Sequence, residues 1–358
     1  MLRLAGASMA AAAGVGGASS SASASSSLAG QQPPPKPPSE KILRHMGATP
    51  AGFAVRGHRA GFDIVDYTHS LGLGSVQTQL SAPTTEAAAA LRRRLDQYEM
   101  RAILGVRLPR TEGDVEAFET AVKAAKDANP VCLHVPMTGR RYEDFDTLAA
   151  FQASFAQNKK SVTLAEPVLR KYRLKLAIEN HKGWRAAEQA EWLKSVGSEY
   201  IGVCFDFGNN ISLCEDPAES LRLLAPATFY CHLKDMAVEA YEDGFLLSEV
   251  ALGDGVLDIP GMVKTLRAKD PEMIFGLEMI ARDPLKIPVL TGKYWVSFTD
   301  ASSPLPGVDL AHTLIFVKRH PPKTPLPHLT GLTPEAQLHL EDDCIARSIE
   351  FARAHLNL

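Results

Sequence analysis

Leu174-Lys175-Leu176-Ala177-Ile178-Glu179-Asn180-His181 is a short apolar run that stops at a carboxylate, an amide and an imidazole. Leu174, Leu176 and Ile178 share one face at a period of two, while Lys175, Ala177 and Glu179 share the other. Alone, this is a buried strand with a polar tip. Ile201–Asp206, Thr228–His232 and Ile274–Glu278 end in the same way, and that repetition decides how the chain is read.

Working outward, short strands alternate with amphipathic helical stretches from about Met46 onward. Gly52–Arg56, Ser75–Leu80, Arg101–Val106 and Val131–Val135 are the earlier candidate strands. On the second of these, Val76, Thr78 and Leu80 oppose Gln77 and Gln79. Helices are expected at Phe62–Gly72, Pro83–Tyr98, Asp114–Ala128, Phe145–Tyr172 (interrupted or bent) and Ala186–Ser195. Asp216, Pro217 and Glu219 mark another start in a capping-box arrangement. A long loop containing Gly253-Asp254-Gly255 precedes a helix capped by Asp258. Eight strands alternating with helices over about 230 residues predict an α/β fold, a (β/α)8 TIM barrel. The alternative is a doubly wound sheet, but no Gly-rich phosphate turn follows the first strand.

The barrel core is expected over about residues 46–283, within a domain spanning 41–358. Residues 284–358 form a C-terminal extension, with an aromatic, irregular stretch at Pro284–Ser303 and helices near Gly307–Arg319 and Pro334–Ala354. Packed against the barrel, it could cover the mouth or form a homo-oligomer contact. Residues 1–40 run from Met1-Leu2-Arg3-Leu4 through Ala/Gly-rich and Ser/Ala tracts to Pro33-Pro34-Pro35-Lys36-Pro37-Pro38. That order reads as a signal peptide with a Pro-rich, disordered linker, hence a periplasmic or secreted protein. The alternative is a low-complexity tail on a cytoplasmic one.

Composition narrows the class. The 358 residues are 45% hydrophobic and 22% charged with a formal net charge of -3, which provides no basic field for a nucleic-acid backbone. No apolar stretch outside the N-terminus is long enough for a membrane span. The five cysteines lack zinc-site spacing and form no disulfide framework, so they read as buried small hydrophobes.

In a barrel, side chains alternate between the interior and the helix layer, and chemistry collects at the C-terminal strand ends. Positions below the four tips are mostly small on the inward face: Ala177, Gly202, Cys204, Thr228 and Gly276, with Tyr230 the bulky exception. The last inward residue is ionisable each time: Glu179, Asp206, His232 and Glu278. Three carboxylates sharing one volume need a counter-charge. Oxygen ligands plus one imidazole suit Mn²⁺, Mg²⁺ or Co²⁺ better than thiolate-seeking zinc.

Ile178-Glu179-Asn180-His181, Cys204-Phe205-Asp206-Phe207-Gly208-Asn209, Cys231-His232-Leu233-Lys234-Asp235 and Gly276-Leu277-Glu278 resemble the four ligand strands of the xylose isomerase-like TIM-barrel superfamily. The nearest-looking branch is the sugar phosphate isomerase/epimerase group. Gly253-x-Gly255-x-x-Asp258 is similar to a turn in that group. The resemblance implies that Glu179, Asp206, His232 and Glu278 bind one divalent metal ion. It also implies that Glu179 and Glu278 are the catalytic acid/base pair on either side of a carbohydrate substrate. A metal-held ketose carbonyl acidifies the adjacent C–H and stabilises the enediolate. Proton return on the same side isomerises; delivery from the opposite face epimerises.

Candidate substrate contacts are His134, His181 with its neighbour Lys182, Lys234, Asn209 and Arg282, with Trp184 as a sugar-stacking ring. Lys234 could instead pair with Asp235 or another acid. Asn209 stands where ketose epimerases have a histidine three residues after the aspartate ligand. An amide there can hydrogen-bond a hydroxyl but carries no proton. The expected function is a metal-dependent sugar or sugar phosphate isomerase/epimerase. The alternatives are an inosose-type dehydratase on the same site, a non-catalytic sugar-binding barrel and an endonuclease IV-type nuclease.

Overall fold

The fold was analysed in a computed structural model that describes residues 41–298 and 306–358. The proposed signal and linker at 1–40 lie outside the described residues, as does the end of the Pro284–Ser303 stretch. In chain order the first elements are β1 (Leu43–Ala48), α1 (Ile64–Ser70), β2 (Leu73–Thr78), α2 (Thr85–Gln97), β3 (Arg101–Gly105), α3 (Val115–Asp127) and β4 (Cys132–Val135). A short α4 (Arg141–Asp144) and a long α5 (Leu148–Tyr172) follow, then β5 (Leu176–Glu179), α6 (Ala186–Val196), β6 (Ile201–Asp206), α7 (Pro217–Leu224) and β7 (Thr228–Leu233). The chain continues with β8 (Asp235–Tyr241), β9 (Gly244–Val250), α8 (Ile259–Lys269), β10 (Phe275–Leu277), β11 (Leu285–Ile287), α9 (Gly292–Trp295), α10 (Gly307–Arg319) and α11 (Pro334–His355).

β1–β7 and β10 close into a barrel in the order β1-β10-β7-β6-β5-β4-β3-β2, every pairing parallel. The outward apolar residues Leu176, Ile178, Val203, Phe205 and Leu277 enter one core with the helix layer. Inside the barrel, Ile103, Cys132, Ala177, Cys204, Tyr230 and Ile274 form a separate plug. Tyr230 fits because Gly276 faces it: a Cβ built at Gly276 would lie 1.9 Å from the Tyr230 hydroxyl oxygen. All five cysteines are buried and free.

Three details depart from the sequence reading. The first barrel strand is Leu43–Ala48, and the expected strand at Gly52–Arg56 is instead occupied by 3-10 turns at Pro50–Phe53 and Arg56–His58. Thr49 caps the first turn with its side chain, and Glu341 of α11 accepts hydrogen bonds from the Val55 and Arg56 amides. These backbone donors are therefore satisfied without a strand partner. The expected long loop after His232 is largely the antiparallel hairpin β8–β9, which pairs with β11 in a small sheet. At the start of α7, Asp216 caps the Ala218 and Glu219 amides, but the Glu219 side chain turns to Arg222 and does not complete a capping box.

The last helices close over this frame. Val317 of α10 packs with Met236, Val238, Phe245 and Leu247 of the hairpin. Cys344, Ile345, Ile349 and Ala352 of α11 join the main core. Asp235 anchors the hairpin to the next loop by accepting from the Gly253, Gly255 and Leu257 amides at 3.0, 3.0 and 3.1 Å. A Cβ at Gly255 would lie 2.1 Å from the Asp235 carboxylate, so the glycine permits this approach. Among the described residues no helix is long and apolar enough to cross a membrane.

Overpacking a barrel interior costs on the order of 1–3 kcal/mol or more. Gly276→Val should therefore destabilise the protein by at least that amount, read as a lower urea midpoint at unchanged slope.

Candidate metal centre and active site

Parallel pairing aligns the tips of neighbouring strands. Asp206 is level with His232, and Glu179 with Cys204. Glu278 follows β10 directly, two residues beyond Gly276, which pairs with His232. One ligand atom from each of Glu179, Asp206, His232 and Glu278 lies within 4.8 Å of the others. All four side chains are buried. The His232 Nδ1 stands 3.3 Å from Glu278 Oε1, 3.8 Å from Asp206 Oδ2 and 3.9 Å from Glu179 Oε2.

That nitrogen tests whether the residues fit a metal. It is buried and makes no hydrogen bond, while the other ring nitrogen, Nε2, lies 2.8 Å from Gln77 Oε1. With the Gln77 oxygen accepting, Nε2 carries the proton and Nδ1 offers its lone pair to the carboxylate-lined space. Fixing an imidazole tautomer by an outer hydrogen bond is a common device around metal ligands. All three separations are shorter than the roughly 4.2 Å that two ligand atoms can span across one ion at metal–oxygen distances of about 2.1 Å. The overlapping set His134, Cys204 and His232 is also close enough for an ion. Burial pushes the Cys204 thiol up to about 12, however, and a protonated thiol is a poor ligand. The carboxylate set fits.

The electrostatics report the same shortage of positive charge. Burial, opposed by Lys234, pushes Asp206 up to about 6. Burial also disfavours charge on Glu278, yet His232 and Lys234 hold its carboxyl well below the usual range. Glu179 is likewise lowered against its burial, by the His134 hydrogen bond and by His232. Burial should drive a proton off His232, but Cys204, Glu278 and Asp206 hold its pKa well above the ordinary value. A second proton on Nδ1 and a divalent ion therefore compete for one lone pair.

The predicted contacts divide clearly. His134 Nε2 is 3.2 Å from Glu179 Oε2. Lys234 Nζ lies 2.8 Å from Asp206 Oδ1 and donates to Glu278 Oε2 at 3.1 Å, not to Asp235. Burial would discharge this lysine, but Asp206, Glu278 and Glu249 hold its pKa above the ordinary value. Asn209 donates to Asp206 Oδ2 and accepts from Lys182 Nζ at 2.5 Å. It thereby fixes a carboxylate of the cluster.

Arg282 does not stand free for an anion. Its guanidinium is taken by both oxygens of Glu249, a buried residue of the hairpin. His181 turns Nδ1 to the Gly139 carbonyl at 3.1 Å and, among the described residues, hydrogen-bonds none of the four ligand side chains. Burial and Lys182 push its pKa down to about 4, leaving it neutral near pH 7. Trp184 cannot stack on a sugar: it is buried, with ring centroids 4.9 Å from Trp192 and 5.0 Å from Phe155.

Sequence reasoning missed Gln77 and Glu249. Gln77 carried a signal, because it faces away from Val76 and Thr78 near the end of a strand. Glu249 carried none while its segment read as a loop. Asn180, part of the opening motif, accepts from the Asp206 amide at 2.6 Å and donates to the Asp206 carbonyl at 3.1 Å, locking β5 to β6 at the tips. Gln77 and His134 also line a cleft of about 790 Å³ at the ends of β1–β4, with Phe53, Phe62 and Arg107. That volume lies within the roughly 300–1,000 Å³ of small-molecule sites.

A family model described as the xylose isomerase-like TIM barrel matches residues 56–294. The chain belongs to that family. Among curated proteins, the 3-oxo-isoapionate decarboxylase of Pectobacterium atrosepticum is 28% identical over 106 residues, covering 29% of this chain. The matched stretch spans 38% of that relative's length. Among solved structures, a D-psicose 3-epimerase in the presence of D-fructose superposes with a TM-score of 0.57 at 13% identity, covering 88% of this chain and 100% of that one. A sugar phosphate isomerase/epimerase from Parabacteroides distasonis gives 0.51 at 11% identity, covering 88% and 96%. A probable 3-DHS dehydratase from Bacillus anthracis gives 0.51 at 14% identity, covering 66% and 92%. At these identities the likeness to the solved structures is one of fold.

Loss of an outer-shell partner of a metal ligand typically costs about 10–100-fold in affinity or activity. Gln77→Leu should weaken Mn²⁺ binding by a factor in that range, measured by calorimetric titration, with thermal unfolding of the apoprotein little changed.

Proposed function

We propose that this chain is a divalent-metal-dependent enzyme that moves a proton next to the carbonyl of a keto sugar, as an isomerase or epimerase. The observation that supports this most is the burial of two glutamates at one metal-fitting cluster, on strands separated by β6 and β7. Bound by Glu179, Asp206, His232 and Glu278, a divalent ion would polarise the carbonyl and offset negative charge on its oxygen. Mn²⁺, Mg²⁺ and Co²⁺ suit this donor set.

The chain's own residues supply the proton chemistry. Glu179 and Glu278 approach from different strands, so one can take a proton from carbon and the other can deliver one to the opposite face. Their lowered pKa values keep both carboxylates ionised, and so able to accept a proton, at neutral pH. His134 steadies Glu179, and Lys234 bridges Asp206 and Glu278. A hydride or redox step is not required.

A second reading is a dehydratase, favoured by the position of Lys234. Its ammonium is 3.1 Å from Glu278 and could protonate a departing β-hydroxyl after the same C–H abstraction. His181 suits that role less, because it is neutral near pH 7.

Purified protein should contain or take up about one divalent ion per chain; no measurable affinity for Mn²⁺, Mg²⁺ or Co²⁺ would sink the proposal. In D2O, NMR of a panel of ketoses, inososes and keto sugar acids should show deuterium entering next to the carbonyl. Glu179→Gln and Glu278→Gln should each slow that exchange by about 10²–10⁴-fold, as expected for loss of a general base. Loss of water identifies the dehydratase, and loss of CO2 from a keto acid a decarboxylase.

A further inference from the structure

The loop after β5 buries a lysine that the chemistry above does not use. Lys182 is 2% exposed, and among the described residues its one side-chain hydrogen bond goes to Asn209 Oδ1 at 2.5 Å. No carboxylate among the described residues lies within ion-pairing distance of it, in contrast to Lys234. An ammonium has three donors, so two remain to be matched. A buried charge without a counter-ion is costly, and proteins rarely leave one unless something else supplies the partner.

The surrounding charges show what is lacking. Lys234, Glu249, Arg282 and Asp206 are the charged groups that act most on Lys182. Arg282 is balanced by Glu249. The three ligand carboxylates would be balanced by a divalent ion together with Lys234. Lys182 is then the one charge left over in this buried set. Burial and the field of Lys234 lower its pKa to about 8, so it remains largely cationic at neutral pH.

Resting on the metal-dependent reading above, we propose that Lys182 binds a carboxylate of the substrate, so that the substrate class is a keto sugar acid and not a neutral ketose. A single negative charge matches the single unbalanced ammonium. A phosphate ester, at about −1.5 to −2 near pH 7, would overshoot it. Lys182 is separated from Asp206 by the side chain of Asn209, which donates to Asp206 with one end and accepts from Lys182 with the other. The carboxylate is therefore held beside the metal ligands, apart from the oxygen on which charge develops during reaction. Lys234, already between Asp206 and Glu278, is the cation placed for that developing charge.

The test compares D-fructose with 2-keto-D-gluconate, which share a C2 carbonyl and differ by a hydroxymethyl against a carboxylate, and adds D-fructose 6-phosphate. Each is titrated calorimetrically into the Mn²⁺-loaded full chain, after Mn²⁺ uptake has been measured in the same way. The keto acid should bind at least about tenfold more tightly than either other sugar, a 1.4 kcal/mol difference. Lys182→Met should remove most of that preference, and Lys182→Arg should retain much of it; circular dichroism and thermal unfolding check that both variants fold. Equal affinities, no binding of the keto acid, preference for the phosphate, or a preference that survives in Lys182→Met would each overturn the inference. So would an effect of Lys182→Met on turnover alone. Mn²⁺ uptake without acid preference removes only this inference, whereas absence of Mn²⁺ uptake removes the proposed function along with it.

Discussion

Three carboxylates and an imidazole buried at the ends of adjacent parallel strands are the constraint around which this protein is built. Like charges brought this close out of water repel strongly, so some cation must be present for the arrangement to persist. Part of it is internal: Lys234 reaches Asp206 and Glu278. The remainder is what a divalent ion would supply. The orphaned Nδ1 of His232 and its tethered Nε2 point to the same conclusion from hydrogen bonding, independently of charge.

Much of the remaining structure serves to hold those groups still. Asn180 ties β5 to β6 at the tips, and Gln189 of α6 reaches the Ile178 carbonyl at 3.1 Å. Asn209 grips Asp206, while Gln77 comes across from β2 to orient His232. The hairpin β8–β9 brings Glu249 over the site to engage Arg282, and Asp235 fastens that hairpin to the Gly253–Leu257 turn. On the other side, α11 holds the β1–α1 loop through Glu341, and residues of that loop, Phe53 among them, line the cleft beside the cluster. The C-terminal helices are in this sense part of the cleft's wall support.

Local pattern was a good guide where one physical rule dominated. Period-two alternation with small inward residues placed β5–β7 and β10, because a strand buried on both faces leaves few other arrangements. It failed at Gly52–Arg56, where turn backbone is satisfied by Thr49 and by a glutamate almost 300 positions along the chain. It failed again after His232, where strand pairing in the hairpin was hidden in a segment read as a loop. Arg282 and Trp184 are candidate substrate contacts by sequence; a buried glutamate and two aromatic rings claim them instead.

The sequence by itself determined the barrel, the four strand ends and the identity of the groups that meet there. Those follow from backbone periodicity and from the parallel register that makes successive tips neighbours. Only the tertiary structure decided which of the polar residues nearby are free. Pairing of Arg282 with Glu249, of Lys234 with two carboxylates and of Lys182 with a single amide depends on distances across elements that local pattern does not encode. Whether a buried charge already has its partner is a property of the packed molecule.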